Sequence, residues 1–183
     1  MNDTLFMIQV IIMNKKRKSG VLMHISTLWG EYSCGSFGKA ALEFVDFLAD
    51  CGFSYWQVLP FCMTDECNSP YKSYSTFGGN PYFVNLDLLF EEGLLTNEEL
   101  SHAKQGTPYF CEFDRLKAER VPLLIKAAQR ADGALKEKIN GFINKNKQIK
   151  DFCVFMALKS ANNEKEWTQW TTKEYDEQIY FGW

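Results

Sequence analysis

Two stretches of the chain concentrate aromatic side chains among hydroxyls, amides and glycines. They are residues 26–38 and residues 68–81. A pyranose presents an apolar C–H face that stacks on an aromatic ring and a rim of hydroxyls that need hydrogen bonds. The composition of both stretches therefore favours a carbohydrate ligand. The aromatic residues concerned are Trp29, Tyr32, Tyr71, Tyr74 and Phe77.

The residues that resemble catalytic groups have simpler explanations. Asp65 and Glu66 are adjacent carboxylates, but neighbouring side chains in a loop point apart more often than they converge, so solvated surface residues are expected. His24 lies in an apolar run, which favours a hydrogen-bonded core imidazole over a general base. Gly35 and Gly38 are too close together to indicate a phosphate site and are typical of a tight turn. We therefore assign no catalytic residue.

Cysteine and histidine usage predicts no metal site. The six cysteines form no Cys-x-x-Cys pair, and the chain has two histidines. A structural zinc site needs about four ligands. The scattered thiols are typical of a reduced, cytoplasmic protein, and we expect no metal and no cofactor.

Charge and hydropathy exclude two classes of partner. The 20 basic residues are mixed among 23 acidic ones and give a net charge of -3, so nucleic acid is not expected. The apolar stretch Leu5–Met13 is shorter than the about 18 residues of a membrane span, and its basic cluster follows it, so neither a membrane segment nor a signal peptide is predicted. Residues 1–17 are interpreted as an extension, disordered or preceding a true start at Met13.

A βαβ unit is the strongest architectural pattern. Gly20–Ile25 is predicted to be a strand buried on both faces, followed by an amphipathic helix whose inner face carries Ala41, Phe44, Val45 and Leu48. Ser36 is expected to cap this helix and Gly52 to end it. A second strand, Tyr55–Leu59, then runs parallel to the first. Ligands of parallel α/β folds bind at the carboxyl ends of strands, where both aromatic stretches fall.

The remainder of the chain is predicted to be helical. Thr96 and Glu99 have capping-box spacing, so a helix begins at about Asn97, and Pro122 suits the first turn of a later helix. Three apolar stripes follow: Val121, Leu124, Ile125 and Ala128; Leu135, Ile139, Phe142 and Ile143; Ile149, Phe152, Cys153 and Met156.

The fold class expected from these elements is α/β, the N-terminal part of a (β/α)₈ TIM barrel. Residues 18–90 supply the first βαβ unit and its substrate loop, and residues 91–183 form a helical insertion. Two parallel strands cannot close a sheet, and a complete barrel takes about 250 residues. The barrel is therefore expected to be incomplete.

Several motifs resemble those of the amylomaltases, glycoside hydrolase family 77. The most specific is the thirteen-residue block Ser69–Pro81. Residues 20–24, 54–60 and 150–159, the turn from Gly35 to Gly38 and the Trp167-x-x-Trp170 segment are also similar, so the resemblance covers residues 18–183 almost continuously. A match of this length is far more specific than a short motif.

This resemblance implies a 4-alpha-glucanotransferase that passes a segment of an alpha-1,4-glucan to the 4-hydroxyl of another glucan or of glucose. The reaction is retaining and uses two carboxylates about 5 to 5.5 Å apart, which in the family lie beyond the end of this chain. The implied ligands are maltose and maltooligosaccharides. Tyr71 would stack on a sugar and Ser69 would hydrogen-bond nearby, with Pro70, Ser73 and Asn80 as further binding-site residues. Asn80, together with Pro81, would hold the shape of the loop.

The sequence departs from the family pattern at two places. Asp65–Asn68 replaces a Gly-Tyr-Gly-Asp stretch, so an aromatic glucan contact cannot be assigned to Glu66, and Trp29 stands where members usually have proline. Two other functions remain open: a short maltooligosaccharide-binding protein without catalysis, and an inactive gene fragment. Tyr71 could also be a structural tyrosine that packs a loop.

Overall fold

The computed structural model describes residues 17–171, so the predicted extension lies outside the described part apart from Arg17. Strand β1 (Gly20–Leu22), helix α1 (Lys39–Asp50) and strand β2 (Tyr55–Gln57) form the βαβ unit. The strands pair in parallel, with Gly20 opposite Tyr55. The predicted topology is confirmed, and both aromatic stretches follow the carboxyl ends of neighbouring strands.

Both strands are shorter than predicted. After Leu22 the chain turns into a 3₁₀ helix over Ile25–Thr27 instead of continuing as a strand. The indole N–H of Trp56 donates to the carbonyl of Met23 at 2.7 Å. This side chain therefore bonds to the first carbonyl after the end of β1.

The ends of α1 test two predictions. The left-handed backbone expected at Gly52 is confirmed, with φ of 77°. The prediction that Ser36 caps the helix is wrong. The residue that precedes the helix is Gly38, and no side chain caps the helix N-terminus. The Ser36 hydroxyl instead accepts a hydrogen bond from the Asn85 carboxamide at 3.0 Å.

Burial of the βαβ unit differs from the prediction. Ala41, Phe44 and Leu48 are buried as expected, but Val45 is exposed. The strands are not buried on both faces, since Leu22 is 58% exposed. The sheet of the described residues has two strands, and no further strand or helix of residues 17–171 covers this face.

The described part of the predicted helical region is mostly helical, as expected, and residues 172–183 lie outside the described part. Its elements are α2 (Leu86–Glu91), α3 (Asn97–Ala103), α4 (Phe113–Arg115), a π-helical segment (Leu116–Arg120), α5 (Val121–Gln129), α6 (Gly133–Lys145) and α7 (Lys147–Ala161), with 3₁₀ helices at Pro81–Phe83 and Trp167–Gln169. The capping box of Thr96 and Glu99 is present at the start of α3. Pro122 lies in the first turn of α5. None of the helices described has both the length and the apolar content that a bilayer crossing requires.

The apolar stripes are only partly core. Met156 is buried, but in α5 the buried residue is Ala127 rather than any member of the predicted stripe. Ile139 and Phe142 of α6 are exposed. Helical spacing identifies a shared face, but whether the face is covered depends on what packs against it.

Two buried clusters join the βαβ unit to the helices. One contains Ile25, Phe44 and Met63 together with Met156 of α7. The other joins Tyr32 to Leu86, Leu100 and Ala127. The loop after β1 therefore packs directly on the helical region, which fixes its position.

Glu99 makes stability depend on pH in the acid range. Its carboxylate accepts hydrogen bonds from Arg130 at 2.6 and 2.9 Å and from the Thr96 N–H at 2.9 Å. The Arg130 guanidinium, and then the Thr96 N–H, lower the pKa of Glu99 from 4.5 to about 2. A carboxyl whose folded-state pKa is depressed stabilises the fold above its unfolded pKa and loses that contribution as pH falls toward the folded value.

We expect the difference in melting temperature between wild type and Glu99→Gln to be full near pH 6 and to shrink as pH falls below 4.5 toward about 2. Thermal melts between pH 6 and pH 3 measure it. A difference that stays constant over this range would contradict the assignment.

Candidate functional site

The second loop, residues 61–80, folds back on itself as an irregular hairpin after β2. Antiparallel bridges join Cys62 to Gly79 and Thr64 to Ser73. At its base the Asn80 N–H donates to the Phe61 carbonyl at 2.9 Å. The loop therefore has a defined backbone without forming a regular strand pair.

Tyr71 lies at the tip of this hairpin. The Lys72 N–H donates to the Ser69 carbonyl at 3.1 Å, which closes a four-residue turn over Ser69–Lys72. Pro70 occupies the second position of the turn, where its fixed φ is favourable. The Tyr71 side chain, at the third position, is 74% exposed. The sequence thus places an aromatic ring in solvent on a rigid turn.

The Asp65 carboxylate stabilises this turn through two contacts. Its carboxylate pairs with Lys72 at 3.1 Å and accepts from the Cys67 N–H at 3.0 Å. Burial acts to raise the pKa of Asp65, but the Lys72 ammonium and the Cys67 N–H outweigh it, so the pKa is lowered. The prediction of a solvated carboxylate is wrong for Asp65, which is buried, whereas Glu66 is exposed.

The side-chain oxygens of Ser73 and Asn80 bond to nearby backbone groups. The Ser73 hydroxyl donates to the Ser75 carbonyl at 2.8 Å, and its oxygen accepts from the Ser75 N–H at 3.2 Å. Asn80 is buried, and its Oδ1 accepts from the Tyr82 N–H at 2.9 Å. Both side chains support the loop backbone in this structure. Ser69 is half-buried beside Tyr71.

The other predicted aromatic residues differ in exposure. Tyr32 is buried, and its hydroxyl donates to Asp87 at 2.5 Å, so it is not a surface sugar contact. Burial, followed by the Asp87 carboxylate, raises the pKa of Tyr32. Tyr74 is half-buried, with the Lys159 ammonium 5.2 Å from its ring centroid. Trp29 and Phe77 are exposed.

His24 packs against two aromatic rings. Its ring lies 5.8 Å from Phe61 and 5.3 Å from Phe83. Its Nδ1 is buried and has no hydrogen-bond partner among residues 17–171. Burial lowers the pKa of His24. A neutral ring suits an aromatic pocket, because no charge has to be desolvated.

Sequence analysis did not identify three buried charged residues that bond to the loops or helices: Asp65, Lys159 and Arg120. Asp65 was identifiable from the tendency of aspartate to accept a hydrogen bond two residues on and nucleate a turn. Lys159 and Arg120 had no such local pattern, since both lie in helical segments and are buried. Lys159 pairs with the Glu164 carboxylate at 3.2 Å, whereas Arg120 donates to backbone carbonyls.

A cavity of about 340 Å³ lies between the second loop and the helices. Its walls include Tyr74, Tyr82, Met156 and Lys159. Together with the exposed rings it offers aromatic faces and hydrogen-bonding groups, which is the chemistry of binding a polyhydroxyl ligand. In the described part of the chain, histidine, cysteine and carboxylate side chains form no group of three that could hold a metal ion.

The chain is similar to known glucanotransferases over most of its length. The family model described as 4-alpha-glucanotransferase, glycoside hydrolase family 77, matches residues 23–179. The 4-alpha-glucanotransferase of Streptococcus pneumoniae is 41% identical over 160 residues, covering 85% of this chain and 32% of that protein. That of Thermus thermophilus is 34% identical over 163 residues, covering 86% of this chain and 32% of the relative.

A solved structure agrees with these relatives. The amylomaltase from Streptococcus agalactiae, solved in complex with acarbose, matches with a TM-score of 0.81 and 33% identity, over 91% of this chain and 35% of that one. The chain thus spans about a third of the length of the proteins it matches. Because the family model covers most of the chain and the structural likeness extends over nearly all of it, the chain belongs to glycoside hydrolase family 77, the 4-alpha-glucanotransferases.

Proposed function

We propose that the chain supplies substrate-binding loops of a 4-alpha-glucanotransferase, which transfers a segment of an alpha-1,4-glucan to the 4-hydroxyl of an acceptor glucan or glucose with retention. The observation that carries the proposal is the exposed Tyr71 ring on a rigid turn, in the loop that follows β2. Such a ring is ready to stack on the apolar face of a glucose unit without rearrangement. Ser69 provides a neighbouring hydroxyl, and Pro70, Ser73 and Asn80 hold the loop in place.

In this proposal the nucleophile and the acid/base carboxylate come from polypeptide outside these 183 residues. The chain covers about a third of its relatives. Leu22 of β1 and the α1 residues Leu42 and Phe47 expose large apolar side chains, as expected where further strands and helices would pack. The βαβ unit is then the first of a (β/α)₈ barrel, and the helical region is an insertion into it.

We place the protein in the cytoplasm. All six cysteines are free thiols, which suits a reducing compartment. The proposed ligands, maltose and maltooligosaccharides, are neutral, so binding does not need the strong charge patches that nucleic acids require.

Tyr71→Ala is expected to weaken maltoheptaose binding about tenfold, because stacking on one aromatic face contributes about 1 kcal/mol or slightly more. The melting temperature should stay within about 1 to 2 °C, since the exposed side chain stabilises little. Isothermal titration with the 183-residue chain measures the affinity. Tyr71→Phe should retain most of it.

Phe142→Ala is the matched control, because it removes an exposed aromatic ring from α6, outside both loops. Its affinity should equal that of wild type. Equal losses of stability and affinity in Tyr71→Ala would identify a packing residue and contradict the proposal. The wild-type chain should release no glucose from maltose, because retaining transfer needs two converging carboxylates; release by pure material would show that the chain is itself catalytic.

A further inference from the structure

Trp29 borders a second surface cavity, on the first loop (residues 26–38). The side chain is 45% exposed. The cavity has a volume of about 380 Å³ and is lined by Trp29, Gly30, Glu31, Lys104, Gln105 and Pro108. A half-exposed indole at the rim of a cavity is a typical binding element, because a ligand that covers it removes apolar surface from water.

The cavity walls are held in place by hydrogen bonds between distant parts of the chain. The Gly30 N–H donates to the Pro108 carbonyl at 3.3 Å, and the Gln105 N–H donates to the Glu31 carbonyl at 2.8 Å. The Gln105 carboxamide also donates to the Gly30 carbonyl at 2.9 Å. These three bonds fix Gly30 and Glu31, the two residues that follow Trp29, against the segment that follows α3. A preorganised wall loses little entropy when a ligand binds.

The polar groups of the cavity favour a neutral polyol. The Lys104 ammonium lies 2.6 Å from the Glu31 carboxylate, and both side chains are more than half exposed. The pair has no net charge, so it gives no advantage to an anion or a cation. It does offer a donor-only group beside an acceptor-only group, and a sugar hydroxyl can use both.

The cavity and Tyr71 lie on loops that leave the same edge of the sheet. The first loop follows β1 and the second follows β2, and these strands are parallel neighbours. Both loops therefore leave the same edge of the sheet. Each carries one well-exposed indole or phenol ring, Trp29 in the first and Tyr71 in the second.

From these observations we infer that the Trp29 cavity is a second subsite for one glucose unit of an alpha-glucan, distinct from the Tyr71 contact. The inference rests on the proposed function and extends it, because two tethered contacts make affinity rise with glucan length.

The test compares maltotriose with maltoheptaose by isothermal titration and by tryptophan fluorescence on the 183-residue chain. Trp29→Ala should lower maltoheptaose affinity about five- to tenfold, reducing the preference for the longer glucan, and Trp29→Phe should retain most of it. The maltoheptaose-induced change in emission should disappear in Trp29→Phe although binding persists. Trp167→Ala, which removes an exposed indole outside both loops, should leave affinity and length preference unchanged.

The outcomes separate the two claims. Wild-type affinity and an unchanged fluorescence response in the Trp29 variants, with a loss in Tyr71→Ala, would overturn the second subsite and leave the proposed function intact. Absence of maltoheptaose binding by the wild-type chain would overturn both. Thermal melts establish that each variant is folded. If Trp29→Ala does not fold, the fluorescence response of Trp29→Phe, which keeps an aromatic ring at the same position, decides the result.

Discussion

Gly35→Ala is expected to destabilise the chain by about 3 kcal/mol or more, which is a large part of the about 5 to 15 kcal/mol that stabilises a typical domain. A β-carbon at position 35 would lie 2.1 Å from the Ile25 carbonyl oxygen and 2.8 Å from the Leu28 carbonyl oxygen. Both neighbours are backbone atoms of residues with buried side chains, so neither can move away without displacing the core. The cause is steric contact, because the Gly35 backbone does not have a positive φ.

Urea denaturation of wild type and variant measures this loss. Gly133→Ala is the matched control: position 133 is the first residue of α6, and a β-carbon there meets nothing within 4 Å. That change should be neutral or slightly stabilising, since alanine has the higher helix propensity. A Gly35→Ala chain as stable as Gly133→Ala would show that the turn relaxes freely.

Arg120→Met is expected to cost about 3 to 5 kcal/mol. The guanidinium is buried and donates to the carbonyls of Tyr82 and Val84, both at 3.1 Å, and of Tyr32 at 2.5 Å. Methionine keeps an apolar stem but leaves three acceptors without this donor, and each unsatisfied buried group costs about 1 to 3 kcal/mol. Burial lowers the pKa of Arg120, but an arginine remains charged throughout the accessible pH range.

Arg130→Met provides the comparison in the same assay. Arg130 also donates to a backbone carbonyl, that of Leu94 at 2.9 Å, and to Glu99, but its side chain is 38% exposed and water can replace the lost donor. A cost of about 1 kcal/mol is expected. If both substitutions shift the denaturation midpoint equally, the bonds of Arg120 do not hold the first loop to the helices.

The helix and strand predictions were correct where the interaction joins residues close together in the sequence, and they failed where it joins distant residues. The Thr96 and Glu99 box, the left-handed Gly52 and Pro122 in a first turn are set by atoms a few residues apart, and all three are confirmed. The Ser36 cap failed although serine is a good capping residue. Its hydroxyl is used instead by Asn85, which is 49 positions away.

The candidate site shows the same division. Composition identified both aromatic loops, and the motif Ser69–Pro81 identified the family, because residue types and their order are written in the chain. Composition alone did not distinguish Tyr32 from Tyr71 as sugar contacts, and only the family resemblance assigned a role to Tyr71. The fold buries Tyr32 against Asp87, 55 residues away, and leaves Tyr71 exposed.

The sequence by itself determined the parallel βαβ unit, the helical region and the family, since these depend on periodicity, short-range capping and motif order. Only the tertiary structure decided which side chains reach solvent, that Asp65 is a buried anchor, and that Arg120 links the first loop to a helix 88 residues away. Burial is a property of the contacts between segments that are distant along the chain, and no local pattern specifies which segments meet.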